Sequence, residues 1–110
     1  MVNLGQGVIV PVKFPFSDLT RTKRRPALVL AYAGKGDWVL CQITSKAYGD
    51  QNAVVIQKED FAQGGLSLTS YARPGKLFTA NDTLLEPPVG KLTKEKHQKI
   101  IDGIIAILKK

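Results

Sequence analysis

Short runs of β-branched and aliphatic residues alternate with turn-forming clusters as far as Pro87-Pro88, where the hydrophobic period changes. Gly7 to Lys13 reads G-V-I-V-P-V-K, a strand in which Pro11, lacking an N–H, predicts an edge position or a bulge. Phe14 to Arg24 is a polar loop that opens on F-P-F. The apolar run from Pro26 to Ala33 has the length of a buried strand. Gly34-Lys35-Gly36-Asp37 then predicts a hairpin turn, because glycine adopts positive φ without steric penalty, and Trp38 to Thr44 is the returning strand. Ser45 to Asn52 reads as a loop, Ala53 to Ile56 as a short strand, and Lys58 to Gln63 as one helical turn ended by Gly64-Gly65. Leu66 to Tyr71 and Lys76 to Ala80 read as two strands on either side of an Arg73-Pro74-Gly75 turn.

Beyond Pro88 the spacing becomes helical. Thr93 is an N-cap residue, and Glu95 in the first turn suits the positive end of the helix dipole. Ile100, Ile101, Ile104, Ile105, Ile107 and Leu108 share one face, while Lys99, Asp102, Ala106, Lys109 and Lys110 share the other. His97 lies on the apolar face, which predicts a packed imidazole and not a catalytic one. Five or six short strands followed by one amphipathic helix predict a mainly β fold with a helix (α+β), a small barrel or open roll carrying the helix on its sheet.

The 110 residues show no repeat or linker, so one domain over 1–110 is expected, large enough for a core without cross-links. Cys41 is the only cysteine and His97 the only histidine, which excludes an internal disulfide and the usual Cys/His zinc sites. Cys41 sits in the apolar run V-L-C-Q-I and reads as a core thiol. The N-terminus lacks a signal-peptide pattern and no apolar run has the length of a membrane span, so a cytoplasmic protein without membrane contact is expected. Sixteen Lys and Arg against nine Asp and Glu leave a net charge of +7, compatible with a polyanionic partner or with a merely solvated surface.

The nucleotide-binding and hydrolase motifs G-x-G-x-x-G, the P-loop, H-E-x-x-H and G-x-S-x-G are all missing. The nine carboxylates are scattered, which argues against a two-metal phosphodiesterase. What remains is basic and hydroxylic: Lys13, Arg21, Lys23, Arg24 and Arg25 around the first loop, Thr44, Ser45 and Lys46 ending the central strand, and Ser70, Arg73 and Lys76 around the later turn. Side by side, these strand ends would line one groove, where guanidinium forks and hydroxyls fit phosphate. A loop kept soluble by its charges is the alternative for Arg21 and Lys23. Arg25 differs because it borders Pro26 and an apolar strand.

In this order, G-V-I-V-P-V with F-P-F-S-D-L, then R-R-P-A-L-V-L at 24–30, C-Q-I-T-S at 41–45, S-Y-A-R-P-G-K-L-F-T at 70–79 and V-G-K-L at 89–92, the chain resembles the MazF/PemK family of toxins from type II toxin–antitoxin systems. The resemblance implies an SH3-like barrel of the MazF/PemK/CcdB type with a C-terminal helix, assembled as a homodimer. It implies a metal-independent, cofactor-free endoribonuclease that cuts single-stranded RNA at short sequences. It also implies a small acidic antitoxin as partner, with which such toxins bind DNA. The family's catalytic Arg, which precedes the Pro of its R-P motif, falls on Arg25, and its catalytic hydroxyl falls on Thr44. Lys13, Arg21, Lys23, Arg24, Gln42, Ser45, Lys46, Ser70, Arg73 and Lys76 are the candidate RNA contacts. Two other readings stay open: a CcdB-like toxin directed at gyrase through its C-terminal helix, and a non-catalytic binding module on the same barrel.

Overall fold

The computed structural model describes residues 4–15, 22–47 and 49–110, with the side chains of all of these except 14, 15, 22 and 23. The described strands are β1 (Val8–Pro15), β2 (Thr22–Gly34), β3 (Asp37–Thr44), β4 (Val54–Ile56), β5 (Phe61–Gly64), β6 (Ser70–Asn81) and β7 (Gly90–Leu92), followed by the helix α1 (Lys94–Leu108). The strands pair antiparallel in one sheet of order β4-β6-β3-β2-β1-β7-β5, curled into a small half-barrel with the helix at its C-terminal end. This is the expected mainly β architecture with one helix.

Alternation along the central strands divides the apolar residues between two faces. Ile9, Leu28, Leu30, Cys41, Ile43, Ile56 and Ala72 form one cluster with Ile100 and Ile104 of α1. Val8, Val10, Val12, Ala27, Val29, Leu40 and Ala80 form the other, with Trp38, Phe78 and Leu85 packed against it. The β2–β3 hairpin closes through Lys35-Gly36, both with positive φ (55° and 79°), as the glycine-rich turn predicts.

Three local readings are corrected. Pro11 lies in an interior strand, opposite Pro26 of β2, where neither ring has an N–H to offer the other. Pairing of β7 with β1 is confined to Val8 and Ile9, so Pro11 breaks no ladder on that side either. Lys58–Asp60 is a single 3₁₀ turn, with the Asp60 carboxylate accepting the Gln57 N–H at 2.8 Å, and the chain becomes extended at Phe61 because β5 pairs with β7. Gly64 is required there: with φ of 62°, a Cβ on it would stand 2.2 Å from the Val89 carbonyl oxygen.

The third correction concerns Arg73-Pro74-Gly75, which does not reverse the chain. β6 runs through it as a bulge: Cys41 pairs with Leu77 and Ile43 with Ala72, so four residues of β6 face the single Gln42 of β3. Pro74 is fully buried, and a Cβ on Gly103 of α1 would approach its ring to 3.3 Å. The bulge is therefore the seat of the helix. Thr93 caps α1 as expected, its hydroxyl accepting the Lys96 N–H at 3.2 Å. Ile100 and Ile104 are buried, but Ile105 is 41% and Leu108 72% exposed, so part of the apolar face lies outside this chain's own core.

A cationic cleft as candidate active site

The β2–β3 ladder pairs Ala27 with Gln42 and Leu28 with Cys41. The ladder ends at Ala27–Gln42, and Arg25, two residues back along β2, and Thr44, two residues on along β3, lie just beyond it. Both line an open cleft of about 420 Å³ together with Arg24, Ser45, Lys46 and Ser70. The cleft thus gathers two residues far apart in the chain.

Thr44 is only 7% exposed, and its Oγ1 accepts the backbone N–H of Lys46 at 3.2 Å. This fixes the oxygen while its proton, among the described residues, has no acceptor, which leaves a positioned donor at the cleft wall. Arg25 is partly exposed where β2 emerges from the core, ahead of the fully buried Ala27. The described lining contains arginine, lysine and hydroxyl groups but no carboxylate and no histidine. Among the described residues no group of three or more His, Cys, Asp or Glu side chains is placed to hold a metal ion.

Among the described residues the cleft gathers members of all three strand ends, Arg24 and Arg25, Thr44 to Lys46, and Ser70, but several of the expected residues are engaged or placed elsewhere. Arg24 does line the cleft, but its Nε donates to both carboxylate oxygens of Glu86 (2.7 Å to Oε2), and that carboxylate raises the guanidinium pKa. Lys13 stands opposite Arg24 on β1, outside the lining. Arg73 is largely buried and donates to Asp50 at 3.0 Å, a hydrogen bond that holds the Asp50 carboxyl below its ordinary range. Gln42 and Lys76 sit together in a separate shallow pocket with Leu77 and Phe78. Ser70 reaches the cleft, but it is buried and its hydroxyl donates to the Leu68 carbonyl at 3.0 Å. Arg21 and the side chain of Lys23 lie outside the described residues.

Cys41 is a core thiol as expected: it is fully buried, its Sγ lies 3.3 Å from the Arg73 carbonyl, and burial pushes its pKa up to about 12. His97 is away from the cleft, both ring nitrogens are buried without a partner, and burial lowers its pKa. Sequence reasoning missed Leu66, Ser67 and Leu68, which complete the cleft wall: the strand expected from Leu66 to Tyr71 begins only at Ser70, and the residues before it are loop. It also missed Glu86, whose partner is distant in the chain. A second cleft of about 410 Å³ beside β5 and β7 has, among the described residues, Lys91 as its one charged lining residue and no hydroxyl.

Residues 5–108 match the family model of the PemK-like, MazF-like toxins of type II toxin–antitoxin systems. No curated protein matches the chain in sequence. Among solved structures it is similar to the MazE–MazF complex from Deinococcus radiodurans, with a TM-score of 0.76 and 21% identity over 94% of each chain. It is also similar to an endoribonuclease in complex with its cognate antitoxin from a mycobacterial species, with a TM-score of 0.75 and 17% identity over 99% of this chain and 96% of that one. At such identities the likeness is one of fold.

Proposed function

The chain belongs to the PemK-like, MazF-like toxin family of type II toxin–antitoxin systems, and from that premise we propose that it is a metal-independent endoribonuclease acting on single-stranded RNA in the cleft of Arg25 and Thr44. The observation that carries the reading is the meeting of a guanidinium and a positioned hydroxyl in a described lining free of carboxylates. Such a site suits a reaction in which negative charge builds on phosphorus and the nucleophile comes from the substrate.

In that reaction the 2′-oxygen bonds to the adjacent phosphorus, the P–O5′ bond breaks, and a 2′,3′-cyclic phosphate and a 5′-OH remain. Arg25 binds the non-bridging oxygens through its planar fork and stabilises the phosphorane. Thr44 donates its hydroxyl proton to one of the same oxygens. Lys46 and Ser45 bind the flanking backbone. Arginine keeps its proton at neutral pH, so the 2′-OH proton passes to solvent and not to Arg25. Arg25 faces the leaving O5′ as electrostatic stabiliser, and that oxygen takes its proton from solvent. Single strands are the substrate because they can rotate the 2′-oxygen into line with the leaving group.

Partners follow from charge and surface. The net charge of +7 attracts an acidic antitoxin as well as RNA, and the antitoxin partners of the similar structures support that assignment. Exposed Ile105 and Leu108 support a homodimer that covers the free part of the helix face.

The experiment is incubation of the pure protein with a long RNA in EDTA, followed by end-group analysis. Discrete fragments with cyclic-phosphate ends are expected. Cleavage that appears only with added Mg²⁺ or Mn²⁺ contradicts the proposal.

A further inference from the structure

The loop of residues 65–69 is pinned on three sides. The Gly65 N–H donates to the Val89 carbonyl at 3.1 Å, Leu66 packs against the helix-side core, and the buried Ser70 hydroxyl donates to the Leu68 carbonyl. A loop so tied orders its backbone, yet the Leu68 side chain stands 66% exposed on the cleft wall that holds Arg25 and Thr44. Single exposed leucines are ordinary on protein surfaces. This one has its backbone carbonyl held by a part-buried hydrogen bond at the rim of a cationic cleft, so its backbone position is fixed although its burial contributes little to stability.

Single-stranded RNA entering that cleft places phosphates at the cations and bases to either side. Unstacked bases need an apolar surface, and side chains that supply one contribute measurably to binding. Ser67, which precedes Leu68, offers none.

We infer that Leu68 is an apolar platform for a nucleobase next to the cut phosphate, and that Ser70 is a positioning residue that holds it there. The inference rests on the ribonuclease reading and adds a base-contacting residue to the same cleft. Arg25 and Thr44 hold the phosphate, and Leu68 sets which way the adjacent base lies.

The test is a pairwise cycle on binding. The probe is a short single-stranded RNA spanning a mapped cut site, blocked by a 2′-deoxy nucleotide, alongside the same RNA carrying abasic nucleotides flanking the cut. Leu68→Ser is expected to weaken binding of the first probe about fivefold or more, the lower end for loss of a base-stacking surface. It should leave binding of the abasic probe within about twofold of wild type, since no base remains to be lost. On cleavable RNA the loss should appear in KM and not in kcat. Ser70→Ala should shift KM in the same direction, and because Leu68 is exposed the decisive variant does not depend on a buried change folding well. Equal binding of wild type and Leu68→Ser on the first probe, or equal weakening on both probes, overturns the platform. If the wild type cuts no RNA, the ribonuclease reading fails by that result alone, and the platform is then decided by the same binding comparison on a random-sequence single-stranded RNA pool.

Discussion

Thr44 has two tasks in this structure, and three substitutions separate them. Its Oγ1 accepts the Lys46 N–H at 3.2 Å, and its methyl is buried in a residue only 7% exposed. Thr44→Val keeps the shape and removes the hydroxyl. The freed Lys46 N–H belongs to an exposed residue and regains water, so stability should fall by about 1 kcal/mol or less. Thr44→Ser keeps the hydroxyl and removes one buried methyl, which also costs about 1 kcal/mol. Thr44→Ala loses both, roughly 2 kcal/mol. Cleavage should follow a different order. Ser should stay near the wild-type rate, while Val and Ala should both fall on the order of a hundredfold, the lower end for removal of one preorganised donor. Urea unfolding followed by the single tryptophan, Trp38, gives the stabilities, and single-turnover cleavage under saturating enzyme gives the rates. If Thr44→Val cleaves like the wild type, or if Thr44→Ser loses as much as Thr44→Val with both folded, the hydroxyl is not the working group.

His97 should make stability pH-dependent. Its folded pKa lies below the ordinary value near 6.5 because of burial, so between the two the unfolded chain binds more protons and stability is lost as pH falls below about 6.5; His97→Leu should flatten that slope in urea midpoints. Cys41, with its thiol raised to about 12 in the core, should resist iodoacetamide in the native protein and react once urea unfolds it; fast native labelling contradicts the packing. Glu86→Gln should release the Arg24 cation at the cleft, tightening RNA binding and steepening its salt dependence by about one phosphate contact, which anisotropy titrations at several salt concentrations would read.

Local chemistry explains what was legible in the sequence. The β2–β3 hairpin is written in Gly34-Lys35-Gly36, where three consecutive positive φ angles leave few alternatives, and α1 in its isoleucine spacing and Thr93 cap. Arg73-Pro74-Gly75 has the composition of a turn, but Pro74 is buried beneath Gly103, and that distant contact makes the segment a bulge within one strand. Phe61 to Gly64 carries no strong strand signal, and only pairing with β7 extends it. At the site, family resemblance points to Arg25 and Thr44, and both line one cleft just beyond the end of the β2–β3 ladder. The availability of the other cations depends on carboxylates far away in the chain: Glu86 binds Arg24 and Asp50 binds Arg73. No local pattern announces such pairs, so a basic cluster overstates the charge that a substrate meets.

The central claim is that Arg25 acts on charge that develops during cleavage and not merely on the phosphate already present. The measurement is the single-turnover cleavage rate of Arg25→Ala beside its affinity for an uncleavable 2′-deoxy-substituted RNA, with the fold verified by urea unfolding. The rate should fall about 100-fold or more, while affinity should fall less than about fivefold because Lys46 and the remaining cations share the ground-state phosphates. A folded Arg25→Ala protein that cleaves at the wild-type rate, or one whose affinity falls as far as its rate, contradicts the account.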